Sequence, residues 1–171
     1  MRVRDLVTEL VITTGASYLA TKVMERVSMK LYELEPPAAR AREDAVRPGP
    51  PDRVAAQKMA ALVRWNPSDS ALDKAALLFH YGLAASWAPL YIALRRATSL
   101  GPVRAGLLTG ASMSLVVDEG LTPLMGFSAP NRGYPAATHA RGALVHLVFG
   151  MVVAAVTETA WALMRRSPRP R

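Results

Sequence analysis

Apolar residues gather in four long stretches of the chain, and charged residues lie almost entirely between them. The stretches cover 6–21, 75–94, 105–117 and 143–157, and Glu9 is the one charged residue among these 64 positions. A helix on the surface of a soluble protein carries polar side chains along its wet face, and these stretches have no such face. About 20 apolar residues suffice to cross a bilayer. The pattern therefore favours four membrane-spanning helices over a soluble all-helical core.

The predicted fold is all-α: a polytopic membrane protein that forms one domain over 1–171, built as a four-transmembrane-helix bundle. One long polar loop separates the first two helices. Its Pro-rich part, 35–51, is expected to be extended and exposed because paired prolines stop a helix. An amphipathic helix over about 52–65 either lies on the membrane surface, with Trp65 at headgroup level, or packs on the ends of the bundle. The spanning helices are predicted at about 5–34, 73–97, 103–125 and 138–166.

The positions of the charged residues give an explanation for the net positive charge of the chain. The sequence has 21 Lys plus Arg, 13 Asp plus Glu and a net charge of +8, values that alone suggest a nucleic-acid partner. Nine of the Arg lie in 1–5, 95–104 and 165–171, the side that would hold both termini. The positive-inside rule then predicts cytoplasmic termini, and no nucleic acid is needed to explain the charge. The chain has no Cys, which excludes disulfide scaffolds and thiol enzymes.

Small residues spaced four apart mark faces through which membrane helices pack closely. Such rows occur in the second, third and fourth predicted helices, and they favour a tight bundle. Whether one row instead serves contact with a second copy of the chain stays open. The expected packing residues are Gly82, Ser86, Gly106, Gly110, Ser114, Gly150 and Ala154.

Ionisable side chains inside the predicted spans are candidate functional groups, because a charge in hydrocarbon is costly. Alternate helices cross in opposite directions, so these groups are predicted to form two polar layers with an apolar middle. One layer, with Lys22 and Glu25, lies toward the long loop, and the other lies toward the termini. The candidate intramembrane polar site is His80, Asp118, Glu119 and His146 in the first layer and Glu9 and Glu158 in the second.

Three interpretations of these groups remain open. They pair with one another and with Arg141 to fix the helix register, they relay protons or bind a cation, or they ligate a metal or haem. No tight ligand motif such as His-Glu-x-x-His is present, so no metal, cofactor or catalytic residue is assigned. His139 is placed in the loop before the fourth helix as a capping or interfacial residue. The segment 118–135, rich in Gly and Pro, either forms a discontinuous helix or leaves the membrane.

Several short motifs resemble one known family. A Pro-Leu-Met-Gly sequence at 123–126, a Pro-containing loop, His-Leu-Val at 146–148 and a final helix ending in two Arg are similar to the C-terminal half of the YagU-like bacterial inner-membrane proteins. Phe-His-Tyr-Gly at 79–82 is similar in character, and the likeness covers about 75–166. The resemblance implies a multi-pass inner-membrane protein of uncharacterised activity, loosely linked to acid-stress tolerance, and it brings no catalytic residues.

We therefore expect a small integral protein of the bacterial inner membrane that is a structural or accessory component without enzymatic activity. A proton- or cation-handling bundle linked to acid or ion stress is the first alternative, and a metal- or haem-binding membrane protein is the second. The expected partner is the lipid bilayer, with a second copy or another membrane protein as further candidates.

Overall fold

The computed structural model describes residues 3–166, with side chains described from residue 7 onward. Arg2, Arg169 and Arg171, to which the sequence assigns part of the positive charge near the termini, lie outside the described residues. Within 3–166 the chain is helical and forms no strand. The helices are α1 (Val3–Leu34), α2 (Pro37–Val46), α3 (Pro51–Leu62), α4 (Asp69–Ala97), α5 (Pro102–Met113), α6 (Thr122–Leu124) and α7 (Ala136–Arg166), with a π-helical segment (Ser114–Leu121) joining α5 to α6 and a 3₁₀ turn (Asn131–Gly133) before α7.

Four helical rods pack around a common core, and each contacts two neighbours. Helix α7 packs against α1 and α5, and α4 packs against the same two helices from the other side. Among the described helices, α4 and α7 are long and apolar enough to cross a membrane. Only 17% of the most apolar window of α4 and 39% of that of α7 is buried inside the protein. Most of the apolar surface of these two helices therefore faces outward.

Small side chains build the core of this arrangement. Ala16, Ala20, Ala88 and Ala105 are fully buried, and Tyr91 and Phe149 are the largest side chains buried among them. A core rich in Ala contributes little hydrophobic surface, but it lets helix backbones approach closely, which is how membrane helices gain packing energy.

The closest approach in the bundle lies between α5 and α7. A Cβ atom built on Gly106 would lie 2.8 Å from the carbonyl oxygen of Gly150, and one built on Gly110 would overlap the backbone carbonyl of His146. Ala154 continues this contact on α7, 3.0 Å from the same hypothetical Cβ of Gly106. Ser114, one turn beyond Gly110, is also buried. Side chains larger than hydrogen at Gly106 and Gly110 would force the two helices apart.

The small-residue row of α4 has a different position from the one expected. Gly82 and Ser86 are exposed, and a Cβ on Gly82 would meet no atom within 4 Å. The prediction that they pack within the bundle is wrong for the isolated chain, because α4 turns its opposite face inward. That face carries Ala84, Ala88 and Tyr91.

The buried face of α1 carries polar side chains whose hydrogen-bond donors find acceptors within the same helix. Thr13, Ser17 and Thr21 are buried, and each hydroxyl donates a hydrogen bond to the carbonyl four residues earlier at 2.7–2.9 Å. Hydroxyls bonded in this way can be placed in an apolar environment without an unsatisfied donor. The polar face of α1 therefore lies inside the bundle.

The prediction of an extended linker over 35–51 is wrong for its first half, where α2 forms. The prolines that end α1 occupy the first turn of α2, a position at which the missing N–H costs nothing. Helix α2 is held through Glu43, whose side chain is fully buried beside Arg141 of α7. A tertiary contact between residues almost 100 positions apart cannot be read from local composition.

The amphipathic helix expected over 52–65 is present as α3, and it ends at Leu62, before Trp65. It packs against α4, with Ala56 buried in a small cluster beside Leu72 and Ala76. This position matches packing on the ends of the bundle. Trp65 lies in the following turn and is about half exposed.

The Gly- and Pro-rich segment 118–135 keeps its helical form further than the sequence indicates. Its first residues belong to the π-helical segment, in which the Thr122 N–H donates to the carbonyl of Val117. The chain leaves the rod only after α6, at Gly126, whose φ of 67° is a conformation that favours glycine. The third predicted helix is therefore continuous but changes its winding at the acidic pair Asp118 and Glu119.

We predict that Gly110→Ala lowers the stability of the bundle. The added methyl group overlaps the His146 carbonyl, and overpacking of this kind costs about 1–3 kcal/mol, more than the gain of about 1 kcal/mol in helix propensity. The thermal unfolding midpoint in detergent should fall. Gly82→Ala is the matched control, since its Cβ meets open space, and its midpoint should stay the same or rise. Equal midpoints for the two variants would contradict the close α5–α7 contact.

We predict that Glu43→Gln releases α2 from the bundle. The substitution keeps the shape of the side chain but leaves the buried Arg141 guanidinium short of a charge partner, and breaking a buried ion pair costs roughly 3–5 kcal/mol. Cleavage by trypsin at the arginines of α2 should accelerate by about a hundredfold, the ratio that corresponds to about 3 kcal/mol. Glu33→Gln, which alters an exposed carboxylate that pairs with Lys30 on the same helix α1, should leave cleavage nearly unchanged.

Candidate functional site

A cavity of about 870 Å³ opens at the end of the bundle that carries α2 and α3, and we call it the vestibule. Its walls come from the second half of α1, the start of α4, the π-helical segment and the first turns of α7, and the α2–α3 connection adds Pro50 and Pro51. All three histidines of the chain line it. The ionisable groups of its lining are Glu25, Arg47, His80, Asp118, Glu119, His139, Arg141 and His146, together with the phenols of Tyr32 and Tyr134.

Each histidine of the vestibule faces a carboxylate on a different part of the chain. His146 of α7 places Nδ1 3.1 Å from Asp118 Oδ2 and 2.8 Å from the carbonyl oxygen of Gly142. His80 of α4 places Nε2 3.3 Å from Glu25 Oε1 of α1, a distance that suits an ion pair although the geometry does not form a hydrogen bond. Four separate segments thus supply two imidazole–carboxylate pairs.

The third pair involves His139, which sequence reasoning placed in a loop. The residue lies in the first turn of α7, with Nδ1 2.7 Å from Glu119 Oε1 and Nε2 3.1 Å from the carbonyl oxygen of Asn131. Both ring nitrogens therefore face acceptors. An imidazolium donates to both, whereas a neutral imidazole has one N–H and satisfies only one. The positive form of His139 fits this site best.

The spacing of His139 and His146 held a signal that sequence reasoning missed. Seven residues are close to two turns of an α-helix, so the two rings lie on one face of α7. Adjacent acids in the π-helical segment then provide one partner each, Asp118 for His146 and Glu119 for His139.

The arginines at the vestibule are already held by other acids. Arg141 is buried and donates to Glu35 Oε1 and, at 2.7 Å, to both carboxylate oxygens of Glu43. Arg47 pairs with Glu43 as well, and the Thr138 hydroxyl donates a hydrogen bond to the Glu43 carboxylate at 2.6 Å. The face of the Tyr32 ring lies 5.0 Å from the Arg141 guanidinium. This network fastens α2 to α1 and α7 beside the vestibule.

Glu9 and Glu158 belong to a separate network at the opposite end of the bundle. Glu158 accepts hydrogen bonds from Tyr91 at 2.9 Å and from Arg95 at 2.6 Å, and Glu9 accepts from Arg96 and, at 3.1 Å, from Trp161. Twelve residues of α7, about 18 Å of helix, separate Glu158 from the histidine His146. The six predicted site residues thus divide into the four that share the vestibule and the two that do not.

Apolar side chains and a few buried hydroxyls fill the space between the two ionisable ends. The core there includes Ala16, Ala84, Ala88, Phe149 and Val153, all nearly or fully buried. The ionisable groups lie in two layers as predicted, whereas the middle is not purely apolar, because Thr13, Ser17 and Thr21 of α1 are buried there.

The geometry does not assemble the metal centre that the sequence left open. Within residues 3–166, no three His, Asp or Glu side chains lie close enough together to hold one metal ion. His80 and His146 instead pair with different carboxylates, Glu25 and Asp118. Chemically, the vestibule offers three imidazoles, each beside a carboxylate, and it presents carboxylates to a solute.

Comparisons with known proteins identify no relative. No protein-family model matches the chain, and neither a curated protein nor a solved structure matches it.

Proposed function

We propose that this chain is a small four-span protein of the bacterial inner membrane, an accessory component without catalysis, which takes up and releases protons in the vestibule from one side of the membrane. The observation that carries the proposal is that all three histidines of the chain line one cavity and each faces a carboxylate. Histidine is the side chain whose charge normally changes between pH 5 and 8, so the charge of the vestibule follows the surrounding pH.

Outward-facing apolar side chains on all four rods support the membrane assignment. Large apolar residues are more than half exposed on α1, α4 and the π-helical segment, and others lie on α5 and α7. A continuous surface of this kind marks an interaction site or a membrane, and here it encircles a bundle whose interior is small and partly polar. The exposed residues include Val7, Val11, Leu77, Leu78, Val103, Leu107, Leu115, Leu144 and Leu163.

The positions of the two polar networks support the same assignment. Arg95 and Arg96 lie at the end of α4 and pair with Glu158 and Glu9, so one end of the bundle carries fixed ion pairs. Ionisable groups in membrane proteins are expected to face the bundle interior and to pair with one another. With the arginine-rich segments of the sequence, this end fits the cytoplasmic side and the vestibule fits the opposite side.

Proton exchange from one side explains the geometry better than conduction does. A proton pathway needs a chain of titratable groups or water across the membrane. The described core between the two ionisable networks consists instead of apolar side chains and of α1 hydroxyls that donate to carbonyl oxygens of their own helix. The YagU-like resemblance agrees with a membrane protein linked to acid stress, and it remains a proposal based on short motifs.

We predict the topology from three single-Cys variants of this Cys-free chain, labelled in cells with a membrane-impermeant maleimide. Ala45→Cys in α2 and Ala129→Cys before α7 should react from the outside, and Ser99→Cys between α4 and α5 should react only after permeabilisation. If α4 and α7 alone cross the membrane, Ala129→Cys and Ser99→Cys share one side instead. That result would contradict four spans. Labelling of all three sites in denatured protein is the control.

We predict that each histidine ring responds to its own carboxylate. In NMR spectra of protein in nanodiscs, three ring signals should move between pH 8 and 5. Glu25→Gln should shift the His80 signal, Glu119→Gln that of His139 and Asp118→Asn that of His146, with the other two signals unchanged. Glu33→Gln, which alters an exposed carboxylate on α1, should shift none of them. Histidine signals that do not shift when the predicted carboxylate partner is substituted would contradict the pairing.

The same protein in liposomes separates exchange from conduction. An internal pH dye should report no proton leak above that of protein-free liposomes after an external pH jump. A leak abolished by the double substitution His146→Ala with Asp118→Ala would contradict exchange from one side and favour a conducting bundle.

A further inference from the structure

The vestibule has more room than proton exchange requires. Its volume of about 870 Å³ lies in the range of cavities that hold small organic molecules, which are about 300–1,000 Å³. Its walls combine the ionisable groups with apolar side chains, among them Met24, Met29 and Val145. A solute that fits such walls has both a charged group and a hydrocarbon part.

The charges that face the vestibule discriminate between solutes. Lys22 pairs with Glu25 at 3.2 Å, and Arg47 and Arg141 pair with Glu43. The two arginines of the described lining, Arg47 and Arg141, therefore already have a carboxylate partner. An anionic solute would have to break one of these pairs, two of which involve the fully buried carboxylate of Glu43.

Two carboxylates are left without a permanent counter-charge. Within residues 3–166, the ion partners of Asp118 and Glu119 are His146 and His139. When these imidazoles are neutral, the π-helical segment presents two uncompensated negative charges to the cavity. Both side chains are about one-third exposed, so a solute can reach them.

We propose that the vestibule binds a small organic ammonium ion, and that this ion competes with the protons of the histidines. The ammonium group pairs with Asp118 and Glu119, and its hydrocarbon part lies against Met24, Met29 and Val145. A carboxylate–ammonium contact needs only one or two carboxylates, whereas a metal ion needs three or more convergent ligands, which the described residues do not provide. The inference rests on the proposed proton exchange and names the solute coupled to it.

The coupling follows from the shared carboxylates. Protonation of His139 and His146 supplies the positive charge that Asp118 and Glu119 lack, so a protonated vestibule has less attraction for a cation. Around these acids, Glu25 of α1 pairs with Lys22 and faces His80 of α4. Arg47 after α2 and Arg141 of α7 are compensated by Glu43, with Glu35 as a second partner of Arg141. Linkage requires the effect to be reciprocal: ammonium binding releases protons.

The test is calorimetric titration of the nanodisc-embedded protein with butylammonium, with butanol and butyrate as neutral and anionic counterparts. Butylammonium should bind at pH 8, at least tenfold more weakly at pH 5, and with proton release at pH 6.5 that is measured by comparing buffers of different ionisation enthalpy. Butanol should bind at least tenfold more weakly, because its hydroxyl can donate to a carboxylate but carries no positive charge. Butyrate should not bind.

Variants distinguish the site from general attraction to the surface. Asp118→Asn and Glu119→Gln should each weaken butylammonium binding about tenfold, whereas Glu33→Gln, which removes an exposed carboxylate outside the lining, should leave it unchanged. Unfolding midpoints close to that of the unaltered protein show that the variants are folded. Equal binding of butylammonium by all three variants would overturn the assignment of the carboxylates.

The remaining outcomes separate this inference from the proposed function. Histidine signals that titrate normally, with no butylammonium binding at pH 8, would overturn the ammonium site and leave proton exchange standing. A different result would be histidine signals that do not change when their carboxylate partners are substituted, with butylammonium bound equally at pH 5 and 8. This result would overturn both the proposed proton exchange and the competition between protons and the ammonium ion.

Discussion

An ionised side chain transferred from water to a low-dielectric interior loses its hydration, and only an opposite charge at close range compensates for the loss. This constraint accounts for the placement of the charges near the bundle. Glu9 and Glu158 lie against arginines at one end, and Arg141 lies against Glu35 and Glu43 at the other. Helix α2 folds back onto the bundle, where Glu43 gives Arg141 a second carboxylate beside Glu35.

Close helix packing determines how these charges can meet. Gly106 and Gly110 bring α5 against the backbone of α7, and the same rod continues into the π-helical segment that carries Asp118. π-helical turns recur at functional sites because they redirect side chains within a helix. The glycine contact thus fixes the distance between the rods, and the change of winding presents two consecutive acids to histidines that lie two turns apart on the facing helix.

The sequence was sufficient for the helical regions and for the two polar layers, because segregation of charge and helix direction are local or geometric properties of the chain. It was insufficient for α2, since the partner of Glu43 lies almost 100 residues away. Gly82 was misplaced because a small-residue row does not tell which face of a helix turns inward. His139 was missed because its role depended on where α7 begins, and helix boundaries are the least certain part of any sequence interpretation.

The two polar networks differ in the kind of cation they use, and this difference bears on function. Arg95 and Arg96 keep their charge at all physiological pH values, so the network of Glu9 and Glu158 has a fixed charge. The vestibule uses histidine opposite Glu25, Asp118 and Glu119. If the only purpose were to neutralise buried acids, arginine would serve at both ends. Histidine at one end makes that end alone responsive to pH, which is the property that a proton-exchanging site requires.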